Sequence, residues 1–198
     1  MATKGLMRPY YAIYEASGNT VTYSKGGIAG HAISYSLSAE RGDNVDLYAD
    51  NEIVETDFGK FKSGTLTLNT DNLSDEISKA LLGCKEVKRQ VGDNSVTELV
   101  WDEDQTPVEV GFGVIETKQV SGVNKYRAVV LARVAFSLNS EEATTKGESV
   151  EWQTPTIEGK VMRSEQVDSN YKHPWKFEAT LDSLASAEAY IKAVLSIA

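Results

Sequence analysis

A chain of 198 residues, 41% apolar and 25% charged, has the hydrophobic content to bury one real core, which excludes bulk disorder. Its 20 Lys and Arg against 29 Asp and Glu leave a net charge of −9. No basic block interrupts that balance, so non-specific attachment to duplex DNA or to an anionic membrane, both of which need clustered cations, is excluded.

Taken in order, most of the chain has the period-two pattern of strands with one wet and one buried face. Strands are predicted at Tyr10–Ala16 and Thr20–Ser24, joined by a hairpin turn at Ser17-Gly18-Asn19. In the next strand Ile33, Tyr35 and Leu37 are predicted to point inward, and Ser34, Ser36 and Ser38 outward. Residues 39–64 carry many carboxylates and a sparse apolar pattern, and are read as a projecting loop or hairpin. The GTLTLNT strand follows, with Leu66 and Leu68 inward and Thr65, Thr67 and Asn69 outward. A helix is predicted over DNLSDEISKALLG: Asn72 caps it, Ser74, Asp75 and Glu76 fill its first turn, and Gly83 stands at its exit. Leu73, Ile77 and Leu81 would form its buried face.

Strands follow at Val96–Trp101 and Val108–Thr117. In the YRAVVLARVAFSLNS run, Val130, Ala132, Val134, Phe136 and Leu138 alternate with Leu131, Arg133, Ala135, Ser137 and Asn139. A second charged excursion, NSEEATTKGESVEWQ, comes next, with strands at Val150–Gln153, Thr156–Arg163 and Trp175–Thr180. An Ala-rich helix over about 183–197, capped by Asp182 or Ser183, closes the chain with Leu184, Ile191 and Leu195 as its apolar stripe. About ten strands against two helices predict a mostly β single domain over 1–198, a β-sandwich or barrel with a packed α-helix and a C-terminal helix.

The sequence offers little reactive chemistry. His31 and His173 lie far apart with no Cys or His at ligand spacing, so no metal site is predicted. Cys84 is alone, which excludes an intrachain disulfide and fits a reducing cytoplasm. Beside a helix end it is expected to be a small buried residue rather than a nucleophile. The carboxylates between Asp43 and Asp57 lack EF-hand spacing and read as a solvated loop rather than a calcium site. Lys25-Gly26-Gly27 and Gly111-Phe112-Gly113 match no nucleotide-binding pattern and are expected to be turns or bulges. Trp101, Trp152 and Trp175 are expected to pack in the core or an interface. No catalytic residue and no cofactor is predicted. The opening residues MATKGLMRPYYAIYEASG lack the apolar stretch of a signal peptide, and no run approaches the ~20 apolar residues that span a bilayer. The expectation is a soluble protein with no secretion signal and no membrane partner.

What is distinctive is the outward set: Ser34, Ser36, Ser38, Thr65, Thr67, Asn69, Ser137 and Asn139, small and neutral where Lys and Glu are usual. The order of segments then becomes informative. A Tyr-Tyr opening strand precedes SYSLSAE, an acidic stretch containing Leu47-Tyr48-Ala49-Asp50-Asn51, GTLTL and NLSDEISKALLG. VGFGVIET, YRAVVLARVAFSLNSEEATTKGESVEWQTPTIEG and WKFEATLD follow. This order resembles the major tail tube proteins of long-tailed, non-contractile bacteriophages over nearly the whole chain, most specifically at Tyr48–Gly83 and Tyr126–Gly159.

The resemblance implies a structural virion protein, not an enzyme. Homohexameric rings would stack into a tail tube around a tape-measure protein, with tail terminator and distal tail proteins as further partners. The inner β-barrel would conduct duplex DNA during ejection without binding it specifically. Its place would be the virion tail, assembled in the bacterial host cytoplasm. The outward Ser, Thr and Asn set would line the lumen. Asp43, Asp46, Tyr48, Asp50, Glu52, Glu55, Asp57 and Phe58 would contact neighbouring subunits or rings. Two other readings stand beside it: a tail terminator or other ring protein of a phage tail, and a β-sandwich carbohydrate-binding or adhesion module using Tyr48, Trp101 or Trp152 as an aromatic platform.

Overall fold

A computed structural model describes residues 2–140, 145 and 153–198, with the backbone alone for 138–140. The protein is mostly β, as its alternation predicts. The strands are β1 (Ala2–Ser17), β2 (Thr20–Ile28), β3 (Ala32–Arg41), β4 (Val45–Ala49), β5 (Glu52–Asp57), β6 (Phe61–Thr70), β7 (Lys85–Val91), β8 (Asn94–Val100), β9 (Glu109–Val120), β10 (Val123–Ser140), β11 (Thr156–Met162) and β12 (Lys176–Leu181). Helix α1 (Asp75–Leu82) lies between β6 and β7, and α2 (Leu184–Val194) follows β12.

Eight strands make one antiparallel sheet in the order β2-β1-β9-β10-β11-β6-β3, with β12 also paired to β10. β10 organises it. One edge of this long strand pairs with β9, while the other carries β12 along Tyr126–Leu131 and β11 along Arg133–Ser140. The sheet doubles back on itself, so that Tyr35 of β3 donates its hydroxyl hydrogen to Glu116 of β9. Two further hairpins, β4-β5 and β7-β8, stand outside the sheet.

The enclosed side of the sheet holds the larger core. Tyr11, Leu66, Leu68, Phe112, Val114, Val129, Leu131, Phe136, Ile157 and Val161 are buried there with Leu81, Leu82 and Cys84 from α1 and its exit. Phe112 and Phe136 meet edge to face at 5.4 Å. The other side of β1, β9 and β10 is sealed by α2, whose Ala187, Ile191 and Leu195 cover Tyr10, Ala12, Ile115, Ala128 and Val130. Each large side chain fully removed from water contributes roughly 1.5–3 kcal/mol, so these two clusters dominate stability.

Both helices form where capping and periodicity place them, with one correction at a cap. Ser74, not Asn72, is the N-cap of α1, since its hydroxyl accepts from the Ile77 amide while its own backbone stays extended. Gly83 ends that helix in the left-handed conformation at φ 73°. Ser183 caps α2 and accepts from the Ser186 amide.

Four other expectations need correcting. Ile33 does not point inward: the pairing slips between Ala32 and Ser34, and Ile33 sits in that bulge 53% exposed. The regular alternation of β10 also breaks, because a register shift between Leu131 and Val134 changes which parity faces the enclosed core. Val130 therefore packs under α2, and Val134 packs inside. Gly111 and Gly113 are not turns but mid-strand positions under α2, although Gly111 does stand at a bulge, facing the two extra residues Ala132 and Arg133 of β10. A Cβ on Gly111 would lie 2.5 Å from Leu195, and one on Gly113 2.7 Å from Ile191. Strand β7 has no counterpart in the sequence reading, because all of its residues are exposed and no buried face patterns it. Lys25-Gly26-Gly27, by contrast, does form a bulge, opposite the slip between Tyr11 and Ile13. The expected strand at Val150–Gln153 lies outside the described residues except for Gln153, which is not in a strand, and the platform residue Trp152 and most of the second charged excursion lie outside them too.

Candidate assembly surface

The neutral outward residues converge on one surface. In an antiparallel pair, residues directly opposite share a face, and the registers of β3, β6, β11 and β10 run as continuous rows. One row is Ser36, Thr67, Glu158, Ser137. The next is Ser38, Thr65, Lys160, Ala135, and on the other side Ser34, Asn69 and Thr156 line up. Ser34, Ser36, Ser38, Thr65 and Ser137 are exposed, while Thr67 and Asn69 are half-buried. The Asn139 side chain lies outside the described residues.

Local bonds hold these side chains flat. The Asn69 amide donates to Thr156 Oγ1 at 2.9 Å, and Thr154 Oγ1 donates to Asn69 Oδ1 at 3.1 Å. Ser63 donates to Glu40 at 3.1 Å across the rim of the same face. Beneath this surface Gly159 carries no side chain because a Cβ there would stand 2.6 Å from Val134.

Three charged residues on this face, Glu40, Glu158 and Lys160, were missed from sequence. The signal was present: Ile157, Gly159 and Val161 are buried, while Glu158 and Lys160 between them are exposed, the same alternation that identified β6. A shallow depression lies over them, lined by Thr65, Ala135, Ser137, Glu158 and Lys160.

The two ends of this face differ. From the Arg41 and Phe61 end projects the β4-β5 hairpin. It is shorter than the predicted 39–64 excursion because β3 runs on to Arg41 and β6 starts at Phe61. Asp43, Asp46, Tyr48, Asp50, Glu52, Glu55 and Asp57 are all exposed on it, and Phe58 just after it is 68% exposed. Its apolar side chains are exposed too: Val45 at 67%, Leu47 at 57% and Tyr48 at 64%. Asp50 and Asn51 form the tip with positive φ. Thr56 donates to Asp46 across the strands at 2.6 Å.

From the Thr70 end come α1 and, through it, β7-β8. Trp101, just past β8, is 47% exposed and shares a cleft with Asp71, Leu82, Gln153 and Pro155. It is thus not a core residue. Trp175 does pack, face to face with Phe61 at 4.4 Å. His31 pairs with Asp71 at 2.8 Å, and His173 Nδ1 lies 3.0 Å from the Ser164 carbonyl oxygen.

Ionic groups inside the sheet are structural. Burial of Glu116 would raise its carboxyl, but hydrogen bonds from Lys118 and Tyr35 outweigh that and hold it below the ordinary carboxylate range. Cys84 is 4% exposed, and its burial pushes the thiol up, away from reactive thiolate. Among the described residues, no group of three His, Cys, Asp or Glu side chains is placed to hold a metal ion, and no helix is long and apolar enough to cross a membrane. No protein-family model matches this chain, and no curated protein matches it.

Proposed function

We propose that this protein is a building block of a tubular assembly, the major tail tube protein of a long-tailed, non-contractile bacteriophage. The observation that carries the reading is the four-stranded surface of β3, β6, β11 and β10, solvent-facing and rich in Ser and Thr, with a hairpin of exposed apolar residues leaving one end of it. Barrel width grows with strand number, and an aqueous channel opens only at ~16–18 strands. Four strands from one copy enclose nothing. Six copies side by side would give a wall of about 24 strands, wide enough for a channel.

The charge pattern suits such a channel. Duplex DNA carries one negative charge per ~1.7 Å of axis and clings to clustered cations through counterion release. A wall of hydroxyls and amides whose charges per copy are Glu40, Glu158, Lys160 and an Arg133 already paired with Glu109 and Glu165 offers it little to cling to. The hairpin suits the axial contact between rings. A two-stranded hairpin standing alone in water is marginal, and leaving Val45, Leu47, Tyr48 and Phe58 in solvent costs it the burial that a neighbouring copy would provide. One end meeting a different end is an open-ended association, which yields a filament.

Negative-stain microscopy of the concentrated purified protein tests this. Hollow tubes are expected. Closed single rings would favour a terminator-like ring protein, and a permanent monomer that binds glycans would replace the reading with an adhesion module.

A further inference from the structure

Resting on the tube reading, we infer that the ring is closed by the free edge of β3 in one copy pairing, antiparallel, with the free edge of β10 at Phe136–Ser140 in the next. β3 is bonded to β6 on one side only, and no described strand pairs with its other edge. On β10, pairing with β9 ends at Ala135 opposite Glu109, although β10 continues to Ser140. The cause is local: Pro107 lies two residues before β9 and has no N–H with which to extend the ladder. Among the described residues the last five of β10 therefore carry unpaired backbone groups on that side.

Three observations single out these two edges. Strand direction is the first. β3, β6, β11 and β10 alternate antiparallel, so the last of these four runs opposite to the first. Rotation about an axis along the strands preserves direction, so β10 of one copy meets β3 of the next antiparallel and the alternation continues around the ring unbroken. Edge chemistry is the second. Over Ser34–Ala39 β3 has no Pro, no Lys and no bulge, the devices by which natural edges are blunted. Another free edge of the sheet, β2, has protection that β3 lacks: Lys25 with φ 48°, the bulge at Lys25-Gly26, and Ile197 of the C-terminal segment against Gly26. The third is the exposed Ile33, which stands at the start of β3 and would be covered by the tail of a neighbouring β10.

The rows supply the register. Ser36, Thr67, Glu158 and Ser137 share a line, so with no stagger Ser137 of one copy falls beside Ser36 of the next, and barrel tilt moves that match by a few residues along β3. All candidates lie on the same face, so the neutral surface stays continuous across the boundary.

Cysteine pairs test this in assembled protein. Ser137→Cys is combined in turn with Ser34→Cys, Ser36→Cys and Ser38→Cys, and with Thr22→Cys on β2 as control; Cys84 is buried and stays out of the reaction. A disulfide needs Cα atoms about 4.4–6.8 Å apart. At least one β3 pair is expected to give a ladder of covalent oligomers on mild oxidation, and the β2 pair none. Tubes that assemble normally but crosslink only through β2, or through neither strand, overturn the inference and leave the tube reading standing. Failure of every variant and of the wild type to assemble overturns both.

Discussion

At residue scale the fold rests on absent side chains as much as on present ones. Gly111 and Gly113 let α2 lie directly on β9, with Leu195 and Ile191 occupying the space that a Cβ would need. Gly113→Ala is expected to lower stability by about 1–3 kcal/mol, the usual cost of overpacking a close contact, seen as a lower urea midpoint at unchanged slope. The same change at Gly92, on the β7-β8 tip with nothing near it, tests a different effect, the strain of φ +61°. An acid-sensitive residue is Glu178. Hydrogen bonds from Arg127 and Lys176, 2.7 Å away in the second case, hold its carboxyl down from 4.5 to about 2. The folded state thus favours the ionised form: the contribution is fully present above about pH 4.5 and is lost as pH falls toward about 2. With 42% of the side chain exposed, solvent screening keeps that contribution small. Urea midpoints of Glu178→Gln should fall less steeply than those of wild type across that window, and parallel curves would show that the pair contributes nothing.

At the scale of elements, what could be read from sequence follows from what each segment buries. β6 and β11 bury one face and announce themselves by alternation; β9, buried on both faces, does so by a near-continuous apolar run, and α1 by Ile77 and Leu81, while Leu73 packs from just before the cap rather than from the helix. β7 buries nothing, so it left no pattern. The bulges at Ile33 and before Val134 depend on pairing partners far away in the chain, which periodicity cannot see. The Ser, Thr and Asn of the β3-β6-β11-β10 surface were legible in their alternation; Glu158 and Lys160 alternate with Ile157, Gly159 and Val161 in the same way, but a Glu and a Lys on a wet face are what any exposed strand carries. The β4-β5 hairpin gives a sharp prediction at this scale. Its residues lie outside both buried clusters, so replacing Val45–Asp57 by a short Gly-Ser turn should change the urea midpoint of the monomer very little. The same change should abolish tubes in negative stain. Loss of monomer stability by more than about 1 kcal/mol would show instead that the hairpin belongs to the fold, since surface changes usually stay within ±0.5 kcal/mol.

For the whole molecule the decisive quantity is the charge presented by the β3-β6-β11-β10 surface. Net charge alone does not explain it, because the 29 carboxylates are spread over the chain, with a concentration on the β4-β5 hairpin rather than on this face. What the face supplies is cations already matched by carboxylates: Lys160 is flanked along its own strand by Glu158, and Arg133 pairs with Glu109 and Glu165. Each phosphate neutralised by a fixed cation steepens the salt dependence of DNA binding by about 0.9 in logarithmic slope. Replacing Thr67 and Ser36, neighbours in one row, by Lys should therefore turn an indifferent wall into a retaining one. Tubes of the double variant are expected to hold duplex DNA at low salt and release it as salt rises, whereas wild-type tubes hold none under either condition. Because the two positions lie on the open face and away from both cores, the variant should still fold and assemble. If it forms tubes that remain indifferent to DNA added before assembly, this face does not look into the channel, and the barrel wall must be sought on another surface of the same subunit.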